Sequence, residues 1–145
     1  MPGVIKALDK LGKMSGLEIK CRHKIQGALH YCRTFTCVLM AALWFKILTA
    51  IDNTNKVIQA RNSTIDVEVD NIDGLQTALR ELRERWDDVY REAKHVARNM
   101  GIDVINHHGL VGIRRGLGEI TPDTYRINVY YKAIDSVLVG LSVRY

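Results

Sequence analysis

Five residues in the first quarter of the chain have side chains that bind metals: Cys21, His23, His30, Cys32 and Cys37. Zinc is the chemistry they would suit, but their spacing opposes it. There is no Cys-x-x-Cys pair and no His-x-x-x-His partner. His23, His30 and Cys37 share a helical face at steps of seven, about 10 Å apart at the rise of a helix. Zinc holds its ligands at ~2 Å, so one straight helix cannot gather them. The cysteines are therefore expected to be buried thiols and the histidines surface groups.

Other combinations are no closer to an active site. His107 and His108 are neighbours in a glycine-rich stretch, and adjacent side chains rarely converge on one ligand. The run GLVGIRRGLG from Gly109 to Gly118 sets Arg114 and Arg115 among glycines, a composition that could meet phosphate. It is neither a Walker loop nor a dinucleotide fingerprint, and reads as a flexible linker. Carboxylates abound between Asp66 and Asp88, but on the solvent side of a helical pattern, with nothing placing two beside a nucleophile. No catalytic, cofactor-binding or metal-binding residue is assigned, and the expectation is a chain that is not an enzyme and takes no cofactor.

The elements that would position any site are helices. Residues 1–24 form a basic N-terminal segment with a weak helical pattern around 4–11. Residues 25–60 read as one long helix with Ala28, Tyr31, Cys32, Phe35, Leu39, Leu43, Ile47 and Ile51 among its apolar positions. In its middle these cover nearly the whole circumference, as in a helix packed on more than one side. A polar turn over 61–65 follows, where Ser63 and Asp66 suggest a capping box.

The clearest pattern is next. Ile72, Leu75, Leu79, Leu82, Trp86, Val89, Ala93, Val96 and Met100 alternate steps of three and four. That is one apolar seam on a single helix over about 62–100. Asp66, Glu68, Asp70 and Asp73 near its start and Arg91, Lys94 and Arg98 near its end suit the helix dipole. Gly101 is a natural residue just past the end. Gly74 costs about 1 kcal/mol inside a helix, which leaves a start just after it as an alternative to 62. Trp44 and Trp86 are expected as core anchors.

Residues 103–120 read as a flexible linker. Thr121, Pro122 and Asp123 then give an N-cap, a proline at the first helical position and an acid in the first turn. Ile127, Tyr131, Ile134, Leu138 and Leu141 continue at helical spacing through 121–145. The stretch 127–131 is also β-prone. The fold class is all-α: a long antiparallel helical hairpin over 25–102, a Gly-rich linker and a C-terminal helix, in one domain overall.

Charge is uneven within the formal +5. Residues 1–61 hold ten Lys/Arg against three Asp/Glu, and residues 62–145 eleven against thirteen. The basic half admits weak nucleic-acid binding, beside the plainer reading of a solvated surface. Three cysteines in one short stretch fit a reducing, intracellular compartment. The most apolar run, 37–50, is shorter than the ~20 residues of a membrane span and contains Lys46. It is expected as a buried helix, with no membrane partner and no small-molecule substrate.

Three segments also carry a family likeness: Phe35-x-x-Val38-Leu39-x-x-x-Leu43-Trp44-x-x-Ile47-Leu48 with Ile58 and Gln59, then LRERWDDVYREAK from Leu82 to Lys94 ending in NMGI at Ile102, then YRINVYY from Tyr125 with Ile134, Asp135, Ser136, Arg144 and Tyr145. In this order, across roughly residues 27–145, they resemble hAT-superfamily transposases, the zinc finger MYM-type protein 1-like group in particular. The resemblance implies a helical insertion domain that interrupts an RNase H-like fold, in an intracellular, nuclear protein. The family's DNA-binding zinc finger and its metal-bound acids map onto no residue here. Leu43, Trp44, Leu82 and Ala93 carry over as packing positions only.

The expectation is a truncated or domesticated transposase-like fragment with a structural or interaction role. Two alternatives stay open. One is a coiled-coil-like module that meets a second copy or another protein through the 72–100 seam. The other is a weak, non-specific nucleic-acid binder.

Overall fold

A computed structural model describes residues 2–60, 64–104 and 121–144. The all-α class is confirmed, with no strand among the described residues. The helices are α1 (Pro2–Gly12), α2 (Ile19–Cys32), α3 (Phe35–Ile58), α4 (Ile65–Glu84) and α5 (Trp86–Asn99). α6 (Pro122–Tyr125), a π-helical segment (Arg126–Tyr131) and α7 (Lys132–Arg144) follow. The expected 103–120 linker lies almost wholly outside the described residues, as does Ser63 of the expected capping box.

The chain separates into two compact units, one of Met1–Ala41 with Tyr90–Ile120 and the other of Ala42–Val89 with Thr121–Tyr145. Two of their boundaries fall inside helices, α3 and α5, and the third just before α6.

In the first unit, α1 packs on α2, and Gly12 lets them come close. A Cβ there would sit 3.4 Å from the Ile25 side chain. The helix expected over 25–60 is broken between α2 and α3, because Thr34 caps a new helix. Its hydroxyl donates to the Tyr31 carbonyl at 2.7 Å and accepts from the Cys37 N–H at 3.2 Å, satisfying a donor that a helix start leaves open. Phe35, Val38 and Leu39 are then buried, and Phe35 meets Tyr90 of α5 edge-on at 5.5 Å.

α5 ends as its sequence suggests, with Gly101 at φ 66°. The Ile102 N–H reaches the Ala97 carbonyl at 2.8 Å and the Gly101 N–H reaches Arg98 at 3.0 Å, a Schellman closure whose apolar partners are Ala97 and Ile102. Both are buried. The seam accordingly leaves its expected track here: Ala97 occupies the core and Val96 is exposed.

In the second unit, the lower part of α3 runs antiparallel to α4: Lys46 lies near Leu82 and Arg85, Ala50 near Ala78, and Thr54 near Asn71 and Gly74. The expected hairpin is present in this pairing. Leu43 and Ile47 of α3 are buried, as are Ile72, Leu75, Leu79 and Leu82 of α4. The seam from Ile72 to Leu82 is thus buried within the chain. α4 starts at Ile65 and runs straight through Gly74.

The single helix expected over 62–100 is two helices, interrupted at Arg85. The Leu82 carbonyl, which the Trp86 N–H would meet in an unbroken helix, instead accepts the Arg85 N–H at 3.0 Å and the Tyr130 hydroxyl. A tertiary hydrogen bond holds the interruption in place.

Tyr130 reaches that carbonyl because the chain around it is π-helical. Thr121 caps the helix through a reciprocal pair with Thr124, and Tyr125, Tyr130 and Ile134 become the buried residues. Residues five apart lie about 140° apart on an α-helix but stack through i→i+5 bonds in a π-helix. The expected face is kept in part: Ile134 is buried on it, whereas Ile127 is exposed and Tyr131 half-buried.

Candidate functional site

The densest polar constellation among the described residues sits where α4 meets α7. The Arg83 Nε donates to Asp135 Oδ1 at 2.8 Å, and Nη2 approaches Oδ2 at 3.4 Å. The same guanidinium lies 3.9 Å from the centroid of the Tyr131 ring. The Asp135 carboxylate holds the guanidinium even further above neutrality than usual. Trp86 packs edge-on against Tyr130 at 5.2 Å.

Burial pushes the Tyr130 hydroxyl well above the ordinary phenol range, with Tyr131, Asp88 and Glu84 adding to it and Arg85 opposing. It is a fixed donor and not a proton shuttle. Arg83 and Asp135 satisfy each other in a bidentate pair. The constellation joins α4, α7 and the π segment. Neither Tyr130 nor the Arg83–Asp135 pair stands out in the sequence, because the partners are 48 and 52 residues apart.

The metal-ligating residues do not assemble. Cys21 is exposed, Cys32 and Cys37 are partly buried, and His23 and His30 are exposed. No three His, Cys, Asp or Glu side chains among the described residues could hold one ion. Cys32 and Cys37 do come together across the Thr34 break. Burial first, and then Cys32, pushes the Cys37 thiol up to about 11, so it rests protonated and unreactive. Tyr31 beside them is also raised, by burial and then by the two thiols. His107, His108 and the 109–118 run with Arg114 and Arg115 lie outside the described residues.

α3 and α4 leave two adjoining open grooves of about 300 and 320 Å³ that share Ala50 and Ala78. Lys46, Glu81 and Arg85 line one, and Asn53, Asp70 and Asn71 the other. They are shallow, and their floor is small side chains rather than converging polar groups.

The feature that stands apart from packing is the outer side of α3. Trp44 is 37% exposed, Phe45 73% and Leu48 56%. At ~100° per residue these three lie roughly 150° round the helix from Leu39, Leu43 and Ile47. α3 therefore has two apolar stripes, one buried and one open. This corrects two sequence expectations: Trp44 is not a core anchor, and the 37–50 run is packed on one side only. Its circumference is apolar as read, but packing covers only the inner arc. α3 is also the one described helix long and apolar enough to cross a membrane. Of its 24 residues, an 18-residue window has mean hydropathy 1.7 and is 33% buried.

No protein-family model, curated protein or solved structure matches this chain.

Proposed function

We propose that this chain is a non-catalytic helical interaction domain, transposase-like in descent, that associates through the outer stripe of α3. The observation that carries the reading is Trp44, Phe45 and Leu48 standing open on a helix whose opposite side buries Leu39, Leu43 and Ile47. Contiguous exposed aromatic and aliphatic side chains of this kind mark association surfaces. The transposase-like descent rests on the three ordered sequence segments, and an intracellular, nuclear compartment goes with it.

The occupant is a second copy of the chain. An apolar stripe of about one turn is its own complement under a two-fold axis, since hydrophobic contact is non-directional. Its size sets the strength. The exposed parts of three such side chains amount to on the order of 350 Å² per copy, below the ~800 Å² per partner of a stable complex. The dimer is therefore weak and reversible, with dissociation in the range of tens to hundreds of micromolar, roughly.

Sedimentation equilibrium from about 10 to 500 µM tests this. The mass average rises toward the dimer, and Phe45→Asp with Leu48→Asp flattens it while leaving the melting transition in place. A single monomeric species across that range, or a dimer indifferent to both aspartates, overturns the reading. Loss of the concentration dependence with Leu79→Asp alone would not support it, because Leu79 is core.

A further inference from the structure

α1 and α2 form a hairpin whose closed end is unusual for a protein surface. Leu11 is 45% exposed, Met14 53% and Ile19 73%. They are held at one place, since α1 ends at Gly12, the Met14 N–H bonds the Leu11 carbonyl at 3.1 Å, and Ile19 opens α2. The inner residues Ile5, Leu8, Ile25 and Leu29 are half-buried between the two helices. The tip residues are thus surplus to the hairpin's own packing.

Basic side chains surround that end. Lys6, Lys10, Lys13, Lys20, Arg22 and Lys24 are all exposed, against Asp9 and Glu18 as the acids of the segment. Asp9 is engaged by Lys13 at 2.7 Å, and that hydrogen bond holds its carboxyl below the usual range. The hairpin end is net positive with an aliphatic tip.

We propose that the closed end of the α1–α2 hairpin docks on an anionic phospholipid surface, with Leu11, Met14 and Ile19 entering the headgroup boundary and the lysines meeting lipid phosphates and carboxylates. The two halves of the surface each point to this partner. Basic groups near a charged leaflet gain from its negative potential, and aliphatic tips gain by leaving water for the acyl boundary. A nucleic acid would use the same bases but offers nothing to Ile19, Met14 and Leu11 apart from phosphate and polar base edges. The apolar tip selects the bilayer. This is interfacial docking, not a span, so it is a different matter from the sequence expectation of no membrane partner, which weighed only whether residues 37–50 could span. Phospholipid surfaces bound every intracellular compartment, the nucleus included. The inference is independent of the α3 stripe.

Flotation of the full chain with vesicles tests it, comparing phosphatidylcholine alone with phosphatidylcholine carrying roughly 30 mol % phosphatidylserine. Partitioning onto the anionic vesicles exceeds that onto neutral ones by about tenfold or more and falls steeply with added salt. Leu11→Ser with Ile19→Ser lowers it about tenfold, and Lys10→Glu with Lys20→Glu does the same. Phe45→Asp with Leu48→Asp leaves it unchanged, which separates this surface from the association surface of α3. All substituted side chains are exposed, and unchanged circular dichroism melts verify the fold. Equal partitioning onto both vesicles, no flotation, or insensitivity to Leu11→Ser with Ile19→Ser each overturns the proposal. So does tight, salt-dependent binding of duplex DNA that survives the serine substitutions while lipid binding is absent. That result would make the hairpin a nucleic-acid surface.

Discussion

Replacing Tyr130 with phenylalanine isolates the hydrogen bond that joins the π segment to the end of α4. The ring stays, so its edge-on contact with Trp86 at 5.2 Å is kept and no cavity forms. The hydroxyl is lost, and the Leu82 carbonyl keeps only the Arg85 N–H. With one partner remaining, that carbonyl is not orphaned, so the cost at neutral pH is about 0.5–1.5 kcal/mol. Truncation to alanine costs more, about 3–5 kcal/mol, because Tyr130 is 0% exposed and a ring-sized void follows. The alkaline limb adds an independent mark. Tyr130 is held protonated in the fold well above its ordinary value. Its contribution is therefore complete below about pH 10, where the unfolded phenol titrates. It is lost as pH rises from there toward the higher folded value, since only the unfolded chain gains by ionising. At about pH 11 the native protein has given up roughly 1.4 kcal/mol that the phenylalanine variant never had. Urea titrations at neutral pH and near pH 11 should thus show the gap between the two closing or inverting. Both keep Tyr31, so its own titration cancels. A gap that stays constant with pH, or a neutral-pH cost above about 3 kcal/mol, would refute the assigned role.

Thr34 and Thr36 make an opposed pair in the first turn of α3. Thr34 caps the helix, whereas the Thr36 hydroxyl is buried without a hydrogen-bond partner. Thr34→Val should cost about 1 kcal/mol and Thr36→Val should gain about 1 kcal/mol in urea unfolding; the same sign for both would contradict the assignment. Gly74→Ala should stabilise by about 0.5–1 kcal/mol, since a Cβ there meets nothing within 4 Å in mid-helix. A loss of stability would show that the α3–α4 groove is closed in solution. In timed alkylation near neutral pH followed by peptide mass mapping, the exposed Cys21 should modify first and Cys37 last. Modification of Cys37 ahead of Cys21 would mean that the thiol is not buried beside Cys32.

What the sequence made legible was periodic and local. The seam from Ile72 to Ala93, the Gly101 closure and the Thr121–Pro122 start all follow from spacing or from the chemistry of a single turn. The departures come from contacts made far along the chain. The break at Arg85 is stabilised by a hydroxyl 48 residues away from Leu82, which no window centred on Arg85 contains. The π segment falls on a stretch that reads as both helix and strand, and the buried step of five from Tyr125 to Tyr130 matches neither period. Trp44 shows a different limit. Hydropathy records that a face is apolar but not whether anything covers it, so an outer stripe and a second packed side look the same. The candidate surfaces were hidden for that reason: both are defined by exposure, which composition does not carry. Thr34 was within reach, as a threonine three residues before Cys37, but the apolar run around it masked the cap.

Those two stripes also decide between the ways α3 can satisfy its outer face. By length and hydropathy α3 passes as a membrane span. To act as one it would have to leave its packing, exposing the partners of Phe35, Val38, Leu39, Leu43 and Ile47, all 2% exposed or less. At ~1.5–3 kcal/mol for each buried side chain, those contacts are worth on the order of 10 kcal/mol, and lipid would restore them to α3 but not to the helices left behind. Lys46 is the twelfth of its 24 residues, so a span would also place an ammonium near the bilayer centre at a cost of about 3 kcal/mol. Three outer side chains, already part-solvated, do not offset both terms. A protein surface of modest area would cover Trp44, Phe45 and Leu48 while leaving the inner stripe packed and Lys46 in place near Leu82 and Arg85. The proposed weak, concentration-dependent dimer would satisfy both faces of α3 at once.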